Sequence, residues 1–249
     1  MAELILLTAT VTPPPGVPYL HRTDPSARLA DYEKAFKFYV GLPNELVDRI
    51  VFMENSGHPL DSLHKLAAEA EGKSVEIINF AGLDHPPQYG RGYGEFKMID
   101  HGFKTSKLLW AMEPAGRWWK ITGRLRVLNL GRMVATAPSA FDVYCDIKTV
   151  NNRWMDLRLL ACTRRGYESL FMGQFQYMRE DLEQRAPEQL MMDRLLAARD
   201  AFRIVPRFRS QPKIDGLRGT DSSGYFSPRE RIKFHVKSVL RQVAPWYWI

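Results

Sequence analysis

The first eighty residues switch repeatedly between two kinds of patterning, and that alternation constrains the fold more than any other feature of the chain. Residues 3–11 form a run rich in Leu, Ile, Val and Thr, stopped by Pro13, Pro14, Pro15 and Gly16. This predicts a buried strand that runs into a loop. Asp24-Pro25-Ser26 predicts a cap for a helix over residues 27–40, where Leu29, Tyr32, Ala35, Phe36 and Tyr39 recur at helical spacing. A second short strand over residues 49–54 ends at Asn55-Ser56-Gly57, a helix follows over 61–70, and a third strand over 74–80. The order β-α-β-α-β predicts a mainly parallel sheet with helices packed against it, because parallel neighbours need a crossover between them.

Beyond that point a loop over 81–94 contains Gly90-Arg91-Gly92-Tyr93-Gly94, and a helix is expected from near Glu95 to about Trp110. Strand character returns over 118–130 around Thr122-Gly123-Arg124. Residues 141–148 and 155–162 read as two further strands, and 166–202 tend to helix. No internal repeat interrupts this order, so one α/β domain over residues 1–205 with an appendage over 206–249 is the economical expectation. The composition, 45% hydrophobic and 25% charged, excludes disordered and collagen-like classes, and two cysteines make neither a disulfide framework nor a zinc site. The apolar runs fall far short of the roughly 20 residues that span a bilayer. Residues 1–7 lack the features of a signal peptide, so a cytoplasmic setting is expected.

Of the net charge of +7, residues 206–249 account for +6, with nine basic residues against three acidic ones. A basic end on a nearly neutral body suggests an anionic partner for that end, or simply solvated surface charge. Residues 229–243 can form an amphipathic helix with Ile232, Val236, Val239, Leu240 and Val243 on one side and Lys233, Lys237 and Arg241 on the other; Pro245-Trp246-Tyr247-Trp248-Ile249 follows. A basic face beside terminal aromatics suits an anionic membrane surface. The alternative is a terminal helix packed on the domain.

In an open α/β sheet, ligands sit beyond the carboxyl ends of the strands. There the sequence offers Thr8, Thr10 and Arg22, then Glu54, Asn55 and Ser56, then Asp84 with the glycine segment, and then Lys120, Thr122 and Arg124. Hydroxyls, an amide and carboxylates suit a base and ribose, and cations suit phosphates. Any α/β protein nevertheless shows polar residues at its strand ends. Gly90-x-Gly92-x-Gly94 could cradle phosphate at a helix start or be a plain flexible turn. It lacks the spacing of a nicotinamide fingerprint, and no P-loop is present. Lys120 and Arg124 flank a Thr-Gly turn, and a flexible ammonium beside a planar guanidinium suits a diphosphate.

Leu4-Ile5-Leu6-Leu7-Thr8-Ala9-Thr10, Ile50-Val51-Phe52-Met53-Glu54-Asn55-Ser56-Gly57, Gly92-Tyr93-Gly94-Glu95 and Trp119-Lys120-Ile121-Thr122-Gly123-Arg124 follow one another in an order that resembles small bacterial glycosyltransferases of the GT-A type. The likeness is in particular to a polysaccharide-associated group with a Lys-x-Thr-Gly-Arg segment, and it covers roughly residues 3–200. It implies a single Rossmann-like, nucleotide-sugar-binding α/β domain, a nucleotide-sugar donor and a saccharide or lipid-linked acceptor, at work in surface polysaccharide or glycolipid synthesis, with the inner face of the membrane as a candidate location. Donor contacts would come from Thr8, Thr10, Arg22, Glu54, Asn55, Ser56, Gly94, Lys120, Thr122 and Arg124. GT-A enzymes usually hold Mn2+ or Mg2+ with an Asp-x-Asp motif, but at that point this chain has Lys120-Ile121-Thr122-Gly123-Arg124. Either the cations replace the metal, or ligands come from Asp142 and Asp146, which lie roughly 13 Å apart on an extended strand. Metal-independent neutralisation is therefore expected, with Asp146 the better single ligand.

Inverting transfer needs a carboxylate to take the acceptor's proton. The resemblance places an acidic residue at a late helix start as base, which points to Glu188, with Asp156 second. Both carboxylates could equally be structural, Glu188 for the helix dipole and Asp156 paired with Arg153 or Arg158. The six histidines offer no metal spacing, and no Gly-x-Ser-x-Gly turn occurs. Two rival classes stay open: a nucleotidyltransferase that forms nucleotide-sugars, and a non-enzymatic protein binding nucleic acid or membrane. The neutral body and the lack of a nucleic-acid motif count against nucleic acid.

Overall fold

A computed structural model describes residues 2–150, 153–182, 186–217, 224, 228–244 and 247. In chain order the elements are β1 (Glu3–Ala9), α1 (Pro25–Val40), β2 (Val47–Glu54), α2 (Asp61–Ala68), β3 (Ser74–Asn79), α3 (Gly90–Thr105), α4 (Lys107–Trp110), β4 (Arg117–Thr122), β5 (Arg126–Val127), α5 (Leu130–Thr136), β6 (Val143–Tyr144), β7 (Ile147–Lys148), β8 (Trp154–Met155), β9 (Leu159–Thr163), α6 (Arg164–Leu170), α7 (Pro187–Ala197), β10 (Ile204–Val205), β11 (Ile214–Asp215) and α8 (Pro228–Val243). The central sheet has the order β10-β6-β9-β4-β1-β2-β3. Its strands run parallel except β9, which lies antiparallel between β4 and β6.

The expected β-α-β-α-β start is present, and β1 lies inside the sheet between β4 and β2, with every one of its seven residues buried. Strand pleating sends alternate side chains to opposite faces. Leu4 and Leu6 therefore join Val51 and Met53 under α3, α6 and α7, through Phe96, Ile99, Phe103, Tyr167, Met191 and Leu195. Ile5 and Leu7 join Ile50 and Phe52 on the other face, under α1, α2 and α5, through Tyr32, Phe36, Tyr39, Leu63 and Met133. At the first of these helices, the Asp24 side chain accepts a 2.7 Å hydrogen bond from the Ala27 amide, and Pro25 occupies the first turn. Asp24→Ala removes that cap. It is expected to cost about 1 kcal/mol, which a thermal melt should read as a loss of about 2–4 °C.

Four sequence expectations are corrected. The stretch 141–148 is not one strand: β6 stays in the main sheet, and β7 turns away to pair with β8. The stretch 155–162 divides in the same way into β8 and β9, with the Asp156 amide donating to the Asp146 carbonyl at 2.8 Å where the two leave the sheet. Residues 166–202 are not one helix: α6 ends at Leu170 and α7 starts at Pro187, with a 3-10 turn at Gln174–Tyr177 between them. Finally, α3 begins at Gly90 rather than near Glu95, so the three glycines form its first turns.

Past Pro206, Phe208 is buried beside Trp119 and Tyr144, and β11 pairs with β5. The helix α8 matches the amphipathic expectation in extent, but its apolar side does not pack on the body. Ile232, Val236, Val239 and Val243 are exposed, whereas Arg241 is buried. Of the terminal aromatics, Tyr247 is described, and Pro245, Trp246, Trp248 and Ile249 lie outside the described residues.

Candidate functional site

Strand register builds the floor of the site. The pairing of β1 with β4 sets Thr8 beside Thr122, and the pairing of β1 with β2 sets Ala9 beside Glu54. Above these carboxyl ends opens a cavity of about 1420 Å³. Ordinary small-molecule pockets run to roughly 300–1,000 Å³, so this one exceeds that range.

One wall is hydroxyl-rich. Thr8, Thr10, Asn55 and Thr122 line it with Arg28 and Tyr32 of α1. The Thr10 hydroxyl donates to the Asn55 side-chain oxygen at 2.6 Å, Arg28 Nε donates to the Thr10 carbonyl at 2.7 Å, and the Thr10 amide donates to the Tyr32 hydroxyl at 3.1 Å. A second wall is acidic. Arg91, Gly94 and Glu95 of α3 line it together with Glu188 and with Glu180 and Pro187, which pack against the start of that helix. Burial raises the Glu188 carboxyl above its ordinary value, and the charges of Asp156 and Glu95 push the same way. Burial likewise raises Glu180, with the nearby Glu188 charge adding to it. These two carboxylates hold protons more tightly than exposed ones would. The third wall is basic and carries Arg124, Lys148 and Arg158 together with Lys233 and Lys237 of α8. Lys148 lies 4.7 Å from the centre of the Trp154 ring. Burial lowers its ammonium, and the like charge of Lys237 lowers it further.

Of the donor contacts expected from sequence, Thr8, Thr10, Asn55, Gly94, Thr122 and Arg124 meet at this cavity. Four others are engaged elsewhere. Arg22 is held by Asp31 at 2.5 Å. Glu54 is fully buried and accepts from the Val11, Ser56 and His58 amides, so it ties together the loops after β1 and β2; the Ser56 hydroxyl donates to the same carboxylate. Lys120 lies beneath the cavity floor with its side chain wholly buried. Its ammonium is 2.6 Å from Glu95, 2.6 Å from the Leu157 carbonyl and 3.2 Å from the Thr122 hydroxyl. The anticipated pairing of Lys120 with Arg124 on one diphosphate is therefore corrected: only Arg124 faces the opening. Burial alone would raise the Glu95 carboxyl, but Lys120 and a 2.6 Å hydrogen bond from Thr8 outweigh it and hold it below its ordinary value. Between the two cations, Gly123 is required by packing. A Cβ there would lie 2.7 Å from the Thr8 carbonyl oxygen. Gly123→Ala is expected to pry the turn off β1 and destabilise the fold by about 1–3 kcal/mol, measured as a lowered urea midpoint.

The glycine segment does not form an open phosphate cradle. The Glu180 carboxylate packs against Gly90 and takes the Arg91 amide, so the start of α3 is occupied by the chain's own acid. The second base candidate, Asp156, is clamped by Arg158 at 2.8 Å and 2.5 Å. Burial opposes its ionisation, but the guanidinium prevails and lowers its carboxyl below the ordinary range. Asp146 sits in a buried ion pair with Arg241 at 2.6 Å, and its other oxygen has no hydrogen-bond partner among the described residues. Asp142 is turned away onto the Arg203 amide. A divalent ion wants several oxygen ligands around one point. Among the described residues no group of three or more His, Cys, Asp or Glu side chains could hold a metal ion.

Sequence reasoning passed over Arg91, Lys148 and the inward position of Lys233 and Lys237. Lys148 closes a strand-like run, which was a usable signal; for the α8 lysines only the basic face was visible.

No protein-family model and no curated protein sequence matches this chain. Among solved structures it is similar to the glycosyltransferase GlyE of Streptococcus pneumoniae TIGR4, with TM-score 0.51 and 9% identity over 79% of this chain and 43% of GlyE. The chain has a GT-A-like fold. The apo form of GlyE gives TM-score 0.50 and 10% identity, over 81% of this chain and 44% of that one. A 4-diphosphocytidyl-2C-methyl-D-erythritol synthase aligns over 95% of this chain and 98% of its own, with TM-score 0.48 and 8% identity. The chain spans less than half the length of GlyE, and at these identities it is the fold that is shared.

Proposed function

We propose that the protein is a glycosyltransferase that moves a sugar from a nucleoside-diphosphate donor to a saccharide or lipid-linked acceptor, in surface polysaccharide or glycolipid synthesis at the cytoplasmic side of a membrane. The observation that carries this reading is the cavity at the strand ends, which joins a hydroxyl-and-amide wall, a lysine-rich wall and a carboxylate with a raised proton affinity. The nucleoside sits against Thr10 and Asn55, where paired hydroxyl and amide groups suit ribose and base. The diphosphate lies against Arg124, Lys148 and Lys237. Glu188 takes the proton of the acceptor hydroxyl while that oxygen attacks the anomeric carbon. The bond from that carbon to the phosphate oxygen breaks, and its electron pair departs with the nucleoside diphosphate. Ammonium and guanidinium groups meet the developing charge without a divalent ion.

Synthesis of nucleotide-sugars from a triphosphate is the rival reaction. The loop after β1, with four prolines and one glycine, lacks the glycine-rich backbone that would wrap a triphosphate. A thermal-shift panel of nucleoside diphosphates and their sugars tests the binding step. At a hundredfold excess over Kd, a ligand contributes about 2.7 kcal/mol, so Tm should rise by about 5–10 °C. The shift should persist in EDTA and shrink in Asn55→Ala and in Lys148→Gln. A shift that appears only with manganese would overturn the metal-independent part, and no shift with any nucleotide would overturn the whole.

A further inference from the structure

The loop between β3 and α3 turns His85 inward, onto the same stretch of cavity wall as Gly94 and Glu95. Its side chain is only 9% exposed, yet neither ring nitrogen has a hydrogen-bond partner among the described residues. Nδ1 is sealed from solvent, 4.0 Å from an Asp84 carboxylate that Lys97 already holds. Nε2 stands over Gly94, where a Cβ would lie 3.3 Å from it, so the missing side chain leaves that nitrogen uncovered. The ring is held by aromatic contacts instead. Tyr93 packs on it with centroids 4.7 Å apart, and Phe175 meets Tyr93 edge-on at 5.1 Å. Burial and the Lys97 charge outweigh Asp84 and lower the imidazole below its ordinary value, so it is neutral at pH 7. A neutral imidazole carries one donor and one acceptor. Buried polar groups are normally paired, and a fixed one left open beside a cavity is suited to pair with what enters it.

We infer that His85 Nε2 binds a hydroxyl of one of the two sugars in the cavity and so helps to select the substrate. The inference rests on the transferase reading above and adds a specificity residue to it. Glu95, Glu180 and Glu188 outnumber Arg91 on this wall, which disfavours a phosphate there. A sugar hydroxyl is uncharged, and it can donate or accept according to the tautomer it meets. The transferred sugar and the acceptor must also meet at Glu188, which lines the same wall. His85 touches no reacting atom in this scheme. Its part is recognition.

Two variants test it. His85→Phe keeps a ring against Tyr93 and removes both nitrogens; His85→Gln restores a single amide near the place of Nε2. Steady-state release of nucleoside diphosphate gives KM for donor and for acceptor, and calorimetry gives the affinity for nucleoside diphosphate alone. Loss of one neutral hydrogen bond should raise one KM by about three- to tenfold in His85→Phe, and His85→Gln should recover part of it. Nucleoside diphosphate carries no sugar, so its affinity should stay the same in both variants. A raised donor KM assigns the hydroxyl to the transferred sugar, and a raised acceptor KM assigns it to the acceptor. Both KM values unchanged in His85→Phe would overturn the inference while the transferase reading stands. Equal weakening of nucleoside diphosphate would also overturn it, since the residue would then be supporting the fold of the whole site. A wild-type chain that neither binds a nucleotide nor releases diphosphate would overturn the transferase reading, and this inference with it.

Discussion

Glu95→Ala is expected to cost about 3–5 kcal/mol of folding stability. The Lys120 side chain is 0% exposed, so removal of its ion-pair partner leaves an ammonium hydrogen-bonded, among the described residues, to the Thr122 hydroxyl and the Leu157 carbonyl. Lys120→Met should cost less, about 1–3 kcal/mol. The reason is the asymmetry of the pair: the Glu95 side chain is 21% exposed toward the cavity, where water can replace the lost ammonium. The double substitution should cost clearly less than the two singles together, because Glu95→Ala alone strands a buried ammonium and the double removes it. Urea midpoints at unchanged m-value measure all three. Simple additivity of the singles would contradict the structural role assigned to Lys120.

Glu188→Gln should lower transfer by about 10²–10⁴-fold, with nucleotide binding retained, since the diphosphate is held on a different wall. Glu188 has its folded-state value raised, so the native protein binds its proton more tightly than the unfolded chain. Stability therefore falls as pH rises from the unfolded carboxyl value, about 4.3, through the raised folded value, and the full cost is present at neutral pH. The same substitution is thus expected to raise Tm at pH 7 while it slows the reaction, and the gain should vanish in acid. In the wild-type chain, the acid limb of kcat/KM should lie above the ordinary glutamate value, because the base works only when deprotonated. Unchanged turnover in Glu188→Gln would remove it from the chemistry. A base that is removed without loss is no base.

The β-α-β-α-β start was legible because buried parallel strands and crossover helices impose different periodicities on the same chain, and each short-range rule could be applied without knowledge of the rest. Where the sheet ends, that independence fails. Lys120 looked like a phosphate ligand because its neighbours are a threonine, a glycine and an arginine. Its fate was decided by Glu95, on a helix whose start the sequence placed five residues late. The glycines that suggested a flexible cradle are helical, and the residue that fills their place, Glu180, lies far along the chain. Asp146 was readable as a strand-end carboxylate, but its capture by Arg241 depends on how α8 docks. The facial pattern of α8 was plain in the sequence. Which face met the body was not, because an aliphatic stripe and a cationic stripe can each anchor a helix when the partner surface offers a matching cavity or an aspartate.

The central claim is that the cavity holds a nucleotide-sugar and breaks its anomeric bond. The most direct measurement incubates the full chain in EDTA with a panel of nucleotide-sugars and a mixture of sugar and lipid-linked acceptors, and follows nucleoside diphosphate release by mass spectrometry. The account predicts release from at least one donor, reduced by about 10²-fold or more in Glu188→Gln. Pyrophosphate release from a nucleoside triphosphate and a sugar phosphate, with no diphosphate release from any nucleotide-sugar, would contradict it.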